Sequence, residues 1–121
     1  MDSIPVSQEI PIPLPILLDG GTGTGLFAYG YDRSVSAAQF VCLHPDALIK
    51  LQQGFTDSGA QVLYTATHGA NRENLKAFGC EDMTEQLNAS AAKITYDNFH
   101  DKALIAGCLS STGLSIEPYG D

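Results

Sequence analysis

An α/β fold built on a parallel sheet is what the sequence predicts, and three observations predict it. Three short apolar runs, 15–19, 61–67 and 103–109, are separated by segments whose apolar residues recur at helical spacing. The runs are continuous rather than alternating, as expected of strands in a parallel sheet covered on both faces by helices. Each run is followed by a polar, Gly-, Ser- or Thr-rich segment, GGTGTG, THGAN and SSTG. In folds of this kind, ligand sites gather at the carboxyl ends of the strands.

The elements follow in order. Residues 1–14 hold prolines at 5, 11 and 13 and read as an extended lead-in, because each proline pushes its predecessor toward extended geometry. Pro15 to Asp19 is the first strand, closed by a glycine-rich loop at 20–25 that is too rich in glycine for regular structure. Residues 31–44 fit either a short helix or an irregular crossing segment. Pro45 and Asp46 then start a helix: proline lacks the N–H that a first turn leaves unused, and the carboxylate suits the positive dipole end. Leu48, Leu51 and Phe55 mark its buried stripe and Gly59 its left-handed cap. Gln61 to Thr67 is the second strand, rich in β-branched and aromatic residues. A short helix covers about 72–78 and stops at Gly79. A longer one spans 84–100, with Met83, Leu87, Ala91 and Ile94 on one face, and Ala103 to Leu109 is the third strand.

Composition excludes several functions. The chain has 121 residues, enough for one domain, with 14 Asp and Glu against 6 Lys and Arg. A formal net charge of -8 opposes nucleic acid and anionic membrane surfaces, both of which need clustered cations. The apolar runs fall far short of the ~20 residues of a membrane-spanning helix. The start carries Asp2, Glu9 and prolines and has no basic region, so it does not read as a secretory signal, and the chain is expected in the cytoplasm. Cys42, Cys80 and Cys108 are an odd number at wide spacing, which suits free thiols rather than a disulfide framework or a zinc cluster.

The strand ends hold the candidate site residues. Asp19 offers a carboxylate that could take the ammonium of an amino acid or, alternatively, cap the glycine loop. Gly20, Gly21 and Gly23 suit either close backbone approach to an anion or a tight turn. Neither a phosphate loop nor a dinucleotide fingerprint is present, because GGTGTG has the wrong spacing for both. Thr65 and Thr67 alternate onto one side of the second strand, Thr67 being nearer its carboxyl end, while Tyr64 and Ala66 face the other side. His68 at the strand end fits a hydrogen-bonded wall residue or a ligand contact. No catalytic residue and no metal ligand is assigned.

The segments that carry a family resemblance are Leu17-Leu18-Asp19-Gly20-Gly21-Thr22-Gly23-Thr24 and His44-Pro45-Asp46 at a helix start. Ser58-Gly59-Ala60-Gln61-Val62-Leu63-Tyr64-Thr65-Ala66-Thr67 follows, with Ala70-Asn71-Arg72 and Leu75 through Gly79. Ala106-Gly107-Cys108 and Thr112-Gly113, running to Pro118 and Gly120, complete the set. In this order they resemble the amino-terminal part of the homocysteine S-methyltransferase family, over roughly residues 15–120.

The resemblance implies part of a (β/α)8 TIM-type barrel, about three parallel strands with covering helices, in which residues 15–121 form the barrel portion. It implies homocysteine as ligand, with methyl transfer to its thiolate to give methionine; the strand-end residues Asp19, Gly20, Gly21, Thr24, Thr67 and His68 are the expected substrate-binding residues. Complete members hold zinc on late-strand cysteines to generate the thiolate; this chain shows no such cysteines, so no cofactor is expected in it alone. Gly25 stands where the family commonly has an acidic residue, Ser110-Ser111 where it has Gly-Pro, His68 where it has an aromatic, and Cys108 where it has a small residue. A few strands leave an open edge, so the expected partner is a complementary barrel half or a second copy. The alternative function is a non-catalytic small amino-acid-binding or assembly half-barrel.

Overall fold

The computed structural model describes residues 13–117, 119 and 120. Most of the expected lead-in at 1–14 therefore lies outside the described residues. The helices are α1 (Thr22–Gly25), α2 (Ala37–Leu43), α3 (Pro45–Asp57), α4 (Arg72–Leu75) and α5 (Thr84–Phe99). The strands are β1 (Val62–Tyr64) and β2 (Leu104–Ala106). Short 3-10 turns at Leu26–Tyr29, Lys76–Phe78 and Glu81–Met83 extend α1 and α4 and lead into α5.

β1 and β2 pair in parallel, with Val62 opposite Leu104 and Tyr64 opposite Ala106. Leu18 forms a parallel bridge to Val62, so three segments run in parallel in their sequence order. The α/β class and the parallel sheet are as expected, but regular strand is much shorter than the apolar runs. The expected first strand is only a one-residue bridge, and its chemistry explains why. The Leu17 N–H donates to Gln61 Oε1 at 2.9 Å rather than to a main-chain carbonyl. The Tyr64 N–H likewise donates to Asp19 Oδ2 at 2.9 Å. Side chains have taken two positions that main chain would fill in a longer ladder.

Two further expectations are corrected. The glycine-rich loop contains the helical turn α1, whose glycines all avoid positive φ. Met83 is exposed, because it sits in the 3-10 turn before α5, whereas Leu87 and Ala91 are buried and Ile94 is half-buried. The ambiguous segment 31–44 contains helix α2, started by a capping box. Ser36 Oγ accepts from the Gln39 N–H, and Gln39 Oε1 accepts from the Ser36 N–H, each at 3.1 Å. Gly59 and Gly79 adopt φ of 101° and 68°, the left-handed geometry expected at helix ends.

The core lies between the helices and one side of the sheet. Leu26, Phe40, Val41, Leu48 and Ala91 pack together, while Leu63 and Phe99 join β1 to the end of α5. A buried polar pair crosses this core. Gln52, fully buried on α3, donates to the Tyr64 carbonyl at 3.0 Å and accepts from Thr95 Oγ1 on α5 at 2.9 Å. Three elements are thereby fixed around the strand that carries Thr65 and Thr67. No helix among the described residues is long and apolar enough to cross a membrane.

Candidate functional site

A cavity of about 400 Å³ opens at the carboxyl ends of the Leu18 segment and β1. Asp19, Gly20, Gly21, Thr24 and His68 all line it, together with Thr65, Ala66 and Cys108. Five of the six residues predicted to bind substrate are thus brought to one hollow. A larger hollow of about 680 Å³, between α5 and β2, is walled by Ala89, Ala92, Tyr96, His100 and Leu104 among others. It contains none of the predicted residues.

Asp19 is held rather than free. Its N–H donates to the Val62 carbonyl at 3.1 Å while its carboxylate accepts from the Tyr64 N–H. It therefore reaches across to β1 instead of capping the glycine loop. Desolvation by burial raises its pKa above the ordinary value of 3.8, and the hydrogen bond from Tyr64 opposes that rise. A half-buried carboxylate with one oxygen fixed by main chain is well suited to a cation such as an ammonium.

Packing bears on three of the four glycines here, and none of them needs a positive φ. A Cβ on Gly20 would come within 2.9 Å of the Phe55 ring, and one on Gly21 within 2.6 Å of Thr24 Oγ1. Gly25 would place a Cβ 2.7 Å from a methyl of Leu51. Its packing against α3 leaves no room there for a larger side chain without movement of Leu51. Gly23 meets nothing within 4 Å.

Thr67 differs from the other five residues. It is buried and is not among the residues lining the cavity. Its hydroxyl donates to the Cys108 carbonyl at 2.7 Å, which uses its one proton, so the 2.8 Å contact with Thr65 Oγ1 has Thr65 as donor. Thr65 Oγ1 in turn accepts from the Cys108 N–H at 3.2 Å. The two threonines face one side, as their spacing predicts, and close a ring of three hydrogen bonds with the chain beyond β2. That ring fixes the cavity wall at Cys108.

The loops behind the wall are joined by residues whose role sequence reasoning missed. Ser110 Oγ accepts from the Gly69 N–H at 2.7 Å and from Asn71 Nδ2 at 3.3 Å. The Ser111 carbonyl accepts from Asn71 and Asn74. Asn71 also caps α4 by accepting from the Asn74 N–H at 2.9 Å. The Asn-x-x-Asn spacing signalled the cap, but nothing local signalled contacts some forty residues apart in sequence. Ser110 thus supplies the hydroxyl, and Ser111 the carbonyl, that join the two loops.

Cys42, Cys80 and Cys108 are free; Cys80 is buried and the other two are half-buried. Among the described residues no three His, Cys, Asp or Glu side chains lie together in a way that could hold a metal ion.

A parallel α/β arc with a mostly apolar cavity at its strand ends, carrying a few polar groups, is the architecture of a small-molecule site. The sequence profile described as Homocysteine S-methyltransferase matches residues 16–120, and the chain belongs to that family. No curated protein matches the chain.

Proposed function

We propose that this chain forms the amino-acid pocket of a homocysteine S-methyltransferase, the part of a (β/α)8 barrel that binds homocysteine for methylation to methionine. The observation that carries this reading is the convergence of Asp19, Gly20, Gly21, Thr24 and His68 on one cavity within the family match. Asp19 accepts the substrate ammonium. The glycine segment lines the cavity where the rest of the substrate lies. His68 and Cys108 border the side chain, and the Thr65–Thr67 ring holds that wall in place.

The zinc of complete family members does not fit the described residues, which offer no cluster of three ligands. No step is therefore routed through it. Thiolate formation would need groups contributed by a complementary barrel part, packing along the edge of β2 that pairs with no strand among the described residues. Leu109, Leu114 and Ile116, which follow β2 in the chain, are exposed, in keeping with such a contact. Three free thiols are in keeping with a cytoplasmic location. The reading without chemistry, an amino-acid-binding half-barrel, draws on the same lack of a metal cluster.

Calorimetric titration with L-homocysteine and L-methionine tests the pocket. Both bind the wild-type chain, and Asp19→Asn weakens both by about tenfold, the loss of one charge-assisted contact. No binding of either amino acid to the folded chain would overturn the reading. Methyl transfer from a sulfonium or quaternary ammonium donor, assayed with the complementary part added, separates enzyme from binding module.

A further inference from the structure

Cys108 and His68 stand together on the cavity wall, with Cys108 Sγ 3.7 Å from His68 Nδ1. Cys108 is half-buried and its main chain is pinned on both sides, the N–H by Thr65 and the carbonyl by Thr67. His68 is exposed and lies directly after the strand-end threonines. The other two thiols lie in different surroundings. Cys80 is buried, with its Sγ 3.8 Å from the Leu75 carbonyl. Cys42 packs against the core between α2 and α5, where burial raises its thiol pKa above the ordinary 9.0. Neither is hydrogen-bonded to an imidazole among the described residues.

We propose that Cys108, with His68 as its base, is a thiol-exchange site for small disulfides of amino thiols. In this step His68 Nδ1 takes the proton of the Cys108 thiol. The thiolate attacks one sulfur of the disulfide, forming a Cys108–sulfur bond as the original sulfur–sulfur bond breaks. The departing half leaves as thiolate and is protonated by His68, so it is released as a free thiol. The small disulfide is the oxidant: Cys108 is oxidised to a mixed disulfide and the departing half is reduced. His68 must carry its own proton on Nε2 to accept at Nδ1.

The cavity also sets which disulfides enter. Its volume of about 400 Å³ admits a linear diamine or amino-acid disulfide. Asp19 on the same wall favours an ammonium end over a carboxylate, and the net charge of -8 acts in the same direction. The amino-acid reading of the pocket uses Asp19, His68 and Cys108 as walls, whereas the exchange rests on the reactivity of Cys108 beside His68.

Reaction with cystamine, a cationic disulfide, and with 3,3′-dithiodipropionate, an anionic one, tests the site by intact mass and peptide mapping. The expected result is one adduct, on Cys108, forming about tenfold faster with cystamine. His68→Gln slows it by roughly tenfold, less than the ~10²–10⁴ of a pre-organised base because the contact is long. Added imidazole restores the rate of His68→Ala. Adducts on Cys42 or Cys80 at the same rate, or a wild-type rate in His68→Gln, would overturn the proposal. L-Methionine, which carries no thiol, separates the two readings. Fast modification of Cys108 that methionine fails to slow removes the amino-acid pocket and leaves the exchange site. Methionine binding beside an unreactive Cys108 removes only the exchange site.

Discussion

Thr67 is the position at which a ligand contact and a structural role predict different outcomes. Thr67→Val keeps the shape of the side chain and removes only the hydroxyl. In the folded chain that hydroxyl donates to the Cys108 carbonyl at 2.7 Å and accepts from Thr65 Oγ1 at 2.8 Å. Its loss removes one bond to a half-buried carbonyl, about 1 kcal/mol, and strands the buried Thr65 donor at about 1–3 kcal/mol. The expected destabilisation is about 2–4 kcal/mol. With a urea slope of about 2 kcal/mol/M, the midpoint of unfolding falls by about 1–2 M. Thr67→Ser keeps the hydroxyl and recovers most of that loss. Methionine affinity falls in the valine variant only as far as the wall at Cys108 loosens. A valine variant within about 0.5 kcal/mol of wild type that nonetheless loses methionine binding would refute the hydrogen-bond ring as the reason for Thr67 and make it a direct contact.

Two further predictions follow from buried and half-buried polar groups. Thr95→Val removes the donor to Gln52 Oε1 inside the core and costs about 1–3 kcal/mol in urea unfolding, while adding Gln52→Leu to it costs less than the two single changes summed, because the stranded amide is then gone. Asp19→Asn removes a carboxylate whose pKa is raised in the folded state: wild type binds the extra proton folded before it does unfolded, so its stability relative to the variant increases as pH falls through the raised value toward 3.8, and methionine binding is lost over the same window as the carboxylate neutralises. Stability curves of the two proteins that stay parallel across that range would contradict the second.

Much of the fold was legible because the signals were local. Pro45 and Asp46 start α3 where expected, and Gly59 and Gly79 end their helices with positive φ. The capping box of Ser36 and Gln39 is an equally local signal for the start of α2. What sequence could not supply was competition between partners. The apolar run at 15–19 reads as strand by composition, yet Gln61 and Asp19 side chains take ladder positions at either end of its pairing with β1. The glycine loop reads as irregular, but close packing of Gly20 on Phe55 and Gly25 on Leu51 seats a helical turn there. Both outcomes depend on residues far away in the chain.

The site shows the same division. Placement at strand ends follows from parallel topology, so Asp19, the glycines, Thr24 and His68 could be named from sequence. Thr67 was also named on topology, but topology gives only the side a residue faces, and its hydroxyl is already committed to Cys108. The cavity wall depends on long-range side-chain bonds, from Thr67 to Cys108 and from Asn71 to Ser110, as well as on the short strand pairing. Such bonds are individually worth about 1 kcal/mol, so no single one defines the pocket, yet each orients a residue that the cavity uses. Cys108 is the clearest case. A cysteine whose main chain is held by two threonines stands beside an imidazole on the cavity wall. If the thiol were only a packing replacement, its neighbours would be as apolar as those of Cys80. The polar ring and the 3.7 Å contact with His68 are what separate the two positions.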